Sequence, residues 1–412
     1  MMTRIFLLIF VSALLPLIAT AQSTFTNGAD ISWVTEMEAD GKTFHNTAGQ
    51  ETDCFKLMNE CGISAVRLRV WVEPASTSPN QNSSYGFAWS DKADVVAKAK
   101  RAAQAGLDIM IDFHYSDIFA DPSRQTKPVN WSSLSFEDLQ KAVSDHTTDV
   151  LSALKEVGIS PRWIQIGNET RNGMLWPDGQ LWNSNGDIPN GWAKFTKLYM
   201  AGYNAAKAVC PEAIVMPHID NAYEDNAWWF DKLKANGGKF DMIALSHYPQ
   251  SYTTESAESI NNKAISQVKK LISRYGVNVM IAEVGVKTKS NETTAKAVLE
   301  TFYNAIREIE GCAGIFYWEP QLYGWWKPKA YAYFGWGAYD MGAFDDNGCP
   351  TTVLDCFKNN PTTSNNEVHI DNVVKKINNA IYTIDGKRIS AEDTNGLGAG
   401  LYIVNNKKVM VR

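Results

Sequence analysis

Residues 163–169 read Trp163-Ile164-Gln165-Ile166-Gly167-Asn168-Glu169. The apolar run is too short for a buried helix, and it stops at a glycine followed at once by an amide and a carboxylate. The same pattern recurs on both sides. Short β-branched runs at Ala29–Ser32, Ala65–Val72, Asp108–His114, Trp163–Gly167, Ala213–His218, Met242–His247, Val279–Glu283 and Gly314–Trp318 make eight predicted strands. Between them lie helical periodicities such as Asp91–Ala105, Phe136–Val157, Trp192–Val209, Glu258–Tyr275 and Thr293–Glu310, with Gly276 and Gly311 as expected C-terminal stops. Eight β/α repeats predict a closed (β/α)8 TIM barrel of the α/β class. A doubly wound sheet that bound a nucleotide would carry a glycine-rich phosphate turn, and no G-x-G-x-x-G or Walker A sequence occurs.

In such a barrel the loops after the strands meet at one face, so chemistry should gather where strands end. His114, Glu169, His218, His247, Glu283 and Trp318 each stand at or just past a predicted strand end. The fourth and seventh strands lie across the barrel from each other, which brings Glu169 and Glu283 to opposite sides of one cleft. Glycoside hydrolysis needs such a pair, one carboxylic acid to protonate the leaving oxygen and one carboxylate to attack the sugar. Arg67, Arg69 and Trp71 alternate onto one face of the second strand, and an arginine beside Glu283 would keep it ionised. Arg69, nearer the strand end, is the expected partner. Asp112, His114 and Asp117 offer donors and acceptors for sugar hydroxyls, as do His247 and Tyr248. Among 14 tryptophans, Trp318 and the adjacent Trp325-Trp326 are the expected stacking platforms for pyranose rings.

The remaining features bound the setting. The chain has 412 residues, 45% hydrophobic and 20% charged, with net charge −6, so it lacks a basic field for nucleic acid and suits a neutral partner. Residues 1–21 combine a basic start, a short apolar run and Ala19-Thr20-Ala21, and read as a signal peptide cleaved after Ala21. No later run is long enough to span a bilayer. The protein is therefore expected to be secreted, or periplasmic or at the cell surface, and monomeric. Cys54/Cys61 and Cys349/Cys356 are each seven apart, about 10 Å along a helix, and read as buried thiols. No C-x-x-C or helical H-x-x-x-H occurs, so no metal site is expected. The catalytic domain is assigned to 22–358 and a polar linker to 359–366. A small β-rich module at 367–412 follows, with hairpins Ala380–Ile384/Lys387–Ile389 and Gly400–Val404/Lys407–Val411 on primed turns.

Taken together, several segments resemble glycoside hydrolase family 53, the endo-β-1,4-galactanases of the large clan of retaining (β/α)8 glycosidases. They are Gly28–Ser32, Arg67–Val72, Asp112–Asp117 with Ala120-Asp121-Pro122, Gly167-Asn168-Glu169 and Phe316–Pro320, within residues 26–357. The resemblance implies Glu169 as acid/base and Glu283 as nucleophile, with Arg69, Asn168, His247 and Tyr248 as neighbours. It also implies β-1,4-galactan side chains of pectin or arabinogalactan as substrate, and chemistry without a cofactor. Many bacterial members carry a calcium loop after the seventh strand. Here Val284-Gly285-Val286-Lys287-Thr288-Lys289-Ser290 follows Glu283 and does not support one. The alternatives are a mannan or β-glucan glycanase of the same clan, or a non-catalytic glycan-binding barrel. The tail resembles the C-terminal secretion-sorting modules of Bacteroidetes, the alternative being a small β appendage.

Overall fold

The computed structural model describes residues 25–74, 89–251 and 254–358, and near the C-terminus 381–383, 388–389, 400–404 and 407–411. The expected signal peptide, the linker and the tail's turns lie outside these residues. The chain divides into two compact units, residues 1–362 and 363–412.

The first unit is built on parallel strands β1 (Thr26–Asp30), β2 (Ala65–Val70), β3 (Asp108–Phe113), β4 (Trp163–Ile166), β5 (Ile214–Met216 with His218–Ile219), β6 (Met242–His247), β7 (Asn278–Val284) and β8 (Cys312–Trp318). Each pairs with the next, and β8 returns to β1 through Thr26↔Gly314 to Asp30↔Trp318. The predicted fifth strand is cut at Pro217, whose ring nitrogen has no proton to give a ladder. Its first half pairs with β4 and its second with β6. Asp241 N and Ala244 N also donate to the carbonyls of Val215 and Pro217, so the ring closes across the break.

Seven helices return the chain: α1 (Cys54–Glu60), α2 (Lys92–Gln104), α3 (Phe136–Glu156), α4 (Gly191–Val209), α5 (Ala227–Ala235), α6 (Ala257–Tyr275) and α7 (Glu292–Arg307). Local chemistry sets their starts. Asp91, Ser135, Ser256 and Asn291 each accept the N–H three residues on. Gly276 ends α6 at φ +64°, as expected. The other expected stop is corrected: α7 ends at Arg307 with Glu308 as its cap, and Gly311 turns the chain into β8 instead.

The barrel interior has two zones. Below, Ala65, Met110, Trp163, Met216, Met242, Ala244, Met280, Ala282, Ala313 and Phe316 form an apolar plug of large side chains set against small ones. Gly28 belongs to this zone, since a Cβ there would lie 2.3 Å from the Phe316 ring. Above the plug, the next inward positions are Asp30, Arg67, Asp112 and Gln165, all buried.

All six cysteines are free thiols. Cys54, Cys61 and Cys356 are buried as expected, as are Cys210 and Cys312, but Cys349 is half-exposed and sits in a loop rather than on a helix with Cys356. In the second unit the strands Ile381–Thr383, Arg388–Ile389, Gly400–Val404 and Lys407–Val411 form two antiparallel hairpins. They join into one sheet by pairing Ile381 with Val404, which the local hairpin patterns do not reveal.

Candidate active site

Arg67 is the hub. Its guanidinium is 1% exposed and meets three carboxylates: Nη1 lies 2.7 Å from Asp30 Oδ2, and Nη2 lies 2.8 Å from Asp112 Oδ2 and 2.9 Å from Glu283 Oε1. It also donates to Gln165 Oε1 at 3.2 Å and Asn168 Oδ1 at 2.8 Å. Burial alone would push Asp112 up, but Arg67 and then His114 pull it down to about 2. His114 accepts the N–H of Ala120 at Nδ1, 2.9 Å, so its proton is on Nε2 and is donated to Asp112 at 3.0 Å.

Glu283 reaches this hub only because β7 carries a bulge. Met280 and Ala282 point into the plug, so strict alternation would turn residue 283 outward. The pairing with β6 runs Leu245↔Ile281 and then Ser246↔Glu283, one extra residue on β7, and the carboxylate swings inward. There Tyr248 Oη donates to Glu283 Oε2 at 2.7 Å. Burial pushes Glu283 above the usual carboxylate range, and Arg67 and then Tyr248 offset part of that rise.

Glu169 stands on the facing side in a left-handed backbone conformation, φ +46°, a strained state for a non-glycine residue. Burial, then the charge of Glu283, then that of Asp220 push its carboxyl well above the usual range, and the Ser246 hydroxyl bond partly offsets them. No cation is among the groups that act on it most strongly. His218 supports this residue from two sides. Its Nδ1 receives the Glu169 N–H at 3.3 Å, and its Nε2 lies 2.8 Å from Ser246 Oγ. Two like charges in one buried site do not ionise together. The member with the cation ionises first, leaving Glu283 as carboxylate and Glu169 as acid.

The structure redistributes the other expected residues. Arg67, not Arg69, pairs with Glu283: register sets Arg67 level with Asp30 on β1. Arg69, one step higher, bonds Glu319 Oε1 at 2.7 Å and lies among the rings of Trp33, Trp71, Phe119 and Trp318. His247 is also corrected. It points outward, bonds Asn261 Oδ1 at 2.8 Å and stacks on Phe302, because Ser246 takes the inward position on β6. Asp117 braces loops, accepting the N–H groups of Glu73 and Val129, both at 2.9 Å. Asp112 and His114 are enclosed by the network just described. Asn168 ties the start of the Glu169 loop to the hub, with Oδ1 on Arg67 and Nδ2 on the carbonyl of Ala120, both at 2.8 Å. Trp318 is half-buried against Trp33 and Tyr339. Trp325 is 61% exposed, but Trp326 is buried and anchors its loop through Nε1 to Asp40 Oδ2 at 2.8 Å. The adjacent indoles therefore divide, one into core and one into solvent.

His218, expected at a strand end, joins the network, and Asp30, Gln165, Ser246 and Glu319 complete it without having been singled out as site residues. Strand parity counted up from the plug points to the inward ones among them. Among the described residues, no three His, Cys, Asp or Glu side chains converge as metal ligands.

The profile of Glycosyl hydrolase family 53 matches residues 26–357. An arabinogalactan endo-beta-1,4-galactanase of Cellvibrio japonicus is 32% identical over 362 residues, 81% of this chain and 89% of that protein. One from Thermothelomyces thermophilus is 31% identical over 317 residues, 71% of this chain and 88% of that one. Among solved structures, a family 53 catalytic domain from Ignisphaera aggregans superposes with a TM-score of 0.69 at 28% identity, covering 83% of this chain and 97% of that one. A fungal beta-1,4-galactanase gives 0.67 at 27%, covering 81% and 98%.

Proposed function

Because the chain belongs to glycoside hydrolase family 53, and so is a glycoside hydrolase, we propose that it is a secreted, retaining endo-β-1,4-galactanase. Its substrate would be the galactan side chains of pectin or type I arabinogalactan. The observation that carries this reading is the unequal electrostatics of the two glutamates. Arg67 and Tyr248 bond Glu283, whereas no cation is among the groups that act most strongly on Glu169. Glu169 gives its proton to the glycosidic oxygen as Glu283 attacks the anomeric carbon, so the C–O bond breaks and a glycosyl ester forms with inversion. Glu169, now a carboxylate, takes a proton from water, which attacks the anomeric carbon, breaks its bond to the Glu283 oxygen and inverts the centre again, leaving Glu283 as a carboxylate. Trp318 and Trp325 supply ring faces for the sugars. The two steps need only these side chains, without a cofactor, in a protein acting as a monomer outside the cell. The tail serves as a sorting module.

The substrate is tested by reducing-sugar release. Unsubstituted β-1,4-galactan should be cleaved far faster than mannan or β-glucan, since a site that hydrogen-bonds an axial hydroxyl leaves its own polar groups unpaired with an epimer. Equal rates on mannan would refute the substrate assignment.

The pH profile tests the acid. The Ser246 hydroxyl stabilises the charged form of Glu169, so Ser246→Ala should raise that pKa further. The alkaline limb of kcat/KM, where Glu169 loses its proton, should move to higher pH while the acid limb stays. An alkaline limb that moves to lower pH would contradict the assignment.

A further inference from the structure

Outside the catalytic network, three indoles meet on elements that begin at the face where the strands end. Trp182 lies in the excursion between β4 and α4, Trp192 is the second residue of α4, and Trp228 is the second residue of α5. Helices of this barrel run back antiparallel to the strands, so their first turns belong to the catalytic face. The Trp228 ring lies 6.1 Å from Trp182, tilted by 53°, and 6.1 Å from Trp192, edge-on at 88°. Trp228 is 42% exposed and the other two are half-buried.

The cluster is tied to the loop that carries Glu169. Three residues beyond it, Asn172 accepts the N–H groups of Leu181 and Trp182 and donates to the Trp182 carbonyl at 3.0 Å. Two residues beyond it, Arg171 bonds Asp220 and Asn226, and its carbonyl accepts the indole N–H of Trp229 at 2.9 Å. The segments that carry Trp182 and Trp228 are therefore held by two consecutive residues of the loop that carries Glu169.

We propose that Trp182, Trp192 and Trp228 form a platform for the departing end of the glycan, the sugar units released when Glu169 protonates the bond. The proposal rests on the function proposed above. The portion that departs must leave from the acid's side, and the loops after β4 and β5 are the elements on that side. A neutral hexose chain fits the surface. The electron-rich indole face attracts C–H groups, and a β-galactosyl unit, with its axial O4, gathers its C–H bonds on one face.

The test compares the ratio of kcat/KM on long β-1,4-galactan to that on a nitrophenyl β-galactobioside, whose leaving group is too short to lie on the platform. Trp228→Ala should lower this ratio about three- to tenfold through KM, and Trp228→Phe should restore most of it. An unchanged ratio in Trp228→Ala and in the Trp182→Ala, Trp228→Ala double variant overturns the platform. So does a wild-type dimer in light scattering that Trp228→Ala dissociates, which would make the patch a contact between copies. The wild type separates the two levels of inference. If it is inert on galactan, the functional reading and the platform fail together. If it is active and the variant unchanged, the platform alone fails.

Discussion

Glu283→Gly should lose on the order of 10⁵-fold in turnover, and sodium azide should restore part of it with an activated β-galactoside. Azide entering the vacated space attacks the anomeric carbon directly and gives the α-galactosyl azide. Glu169→Ala should lose about 10²–10⁴-fold on galactan. It should still form the ester from an aryl galactoside, whose phenolate leaves without a proton, and then stall. Azide attacking that ester inverts the centre a second time and gives the β-azide. The two products are distinguished by the anomeric coupling constant in proton NMR. A β-azide from Glu283→Gly and an α-azide from Glu169→Ala would reverse both roles.

Arg67→Met should be the most damaging substitution away from the reacting carboxylates. It removes the one cation that Asp30, Asp112 and Glu283 share, leaving buried carboxylates uncompensated at a cost of about 3–5 kcal/mol. The deficit should depend on pH in a definite direction. Asp112 is held at about 2 against an ordinary 3.8, so its stabilising contribution is present above pH 4 and fades as pH falls toward 2. The variant should trail the wild type most at neutral pH and approach it in acid, as read by urea unfolding at each pH. A uniform deficit across that range would contradict the ion network. Turnover should fall as well, because Glu283, the proposed nucleophile, would lose the cation that favours its carboxylate form.

The sequence displays the barrel because each strand is a short apolar run between amphipathic helices, and the capping residues that start the helices are local signals. The strand ends also display both glutamates. What it conceals are relations between strands. Arg67 and Arg69 share one face, and only the register with β1 decides which of them meets Asp30 and the hub. His247 is a more conspicuous residue than Ser246, yet parity counted from Met242 sends Ser246 inward and His247 into the helical layer. Asp117 and Trp326 have the composition of sugar-binding residues, but unsatisfied backbone N–H groups and a loop anchor claim them. The bulge in β7 leaves no mark in composition.

That extra residue divides β7 into two segments with independent phase. From Asn278 to Ala282 the strand keeps time with the plug, and at Glu283 the count restarts. The floor and the catalytic end of the barrel are therefore separate alphabets. Substitutions at Met216, Met242 and Met280 can tune how the floor fills without altering where the Glu283 carboxylate points. Conversely, a one-residue insertion between Ala282 and Glu283 rewrites the direction of the Glu283 carboxylate while leaving Met280 and Ala282 in phase with the plug.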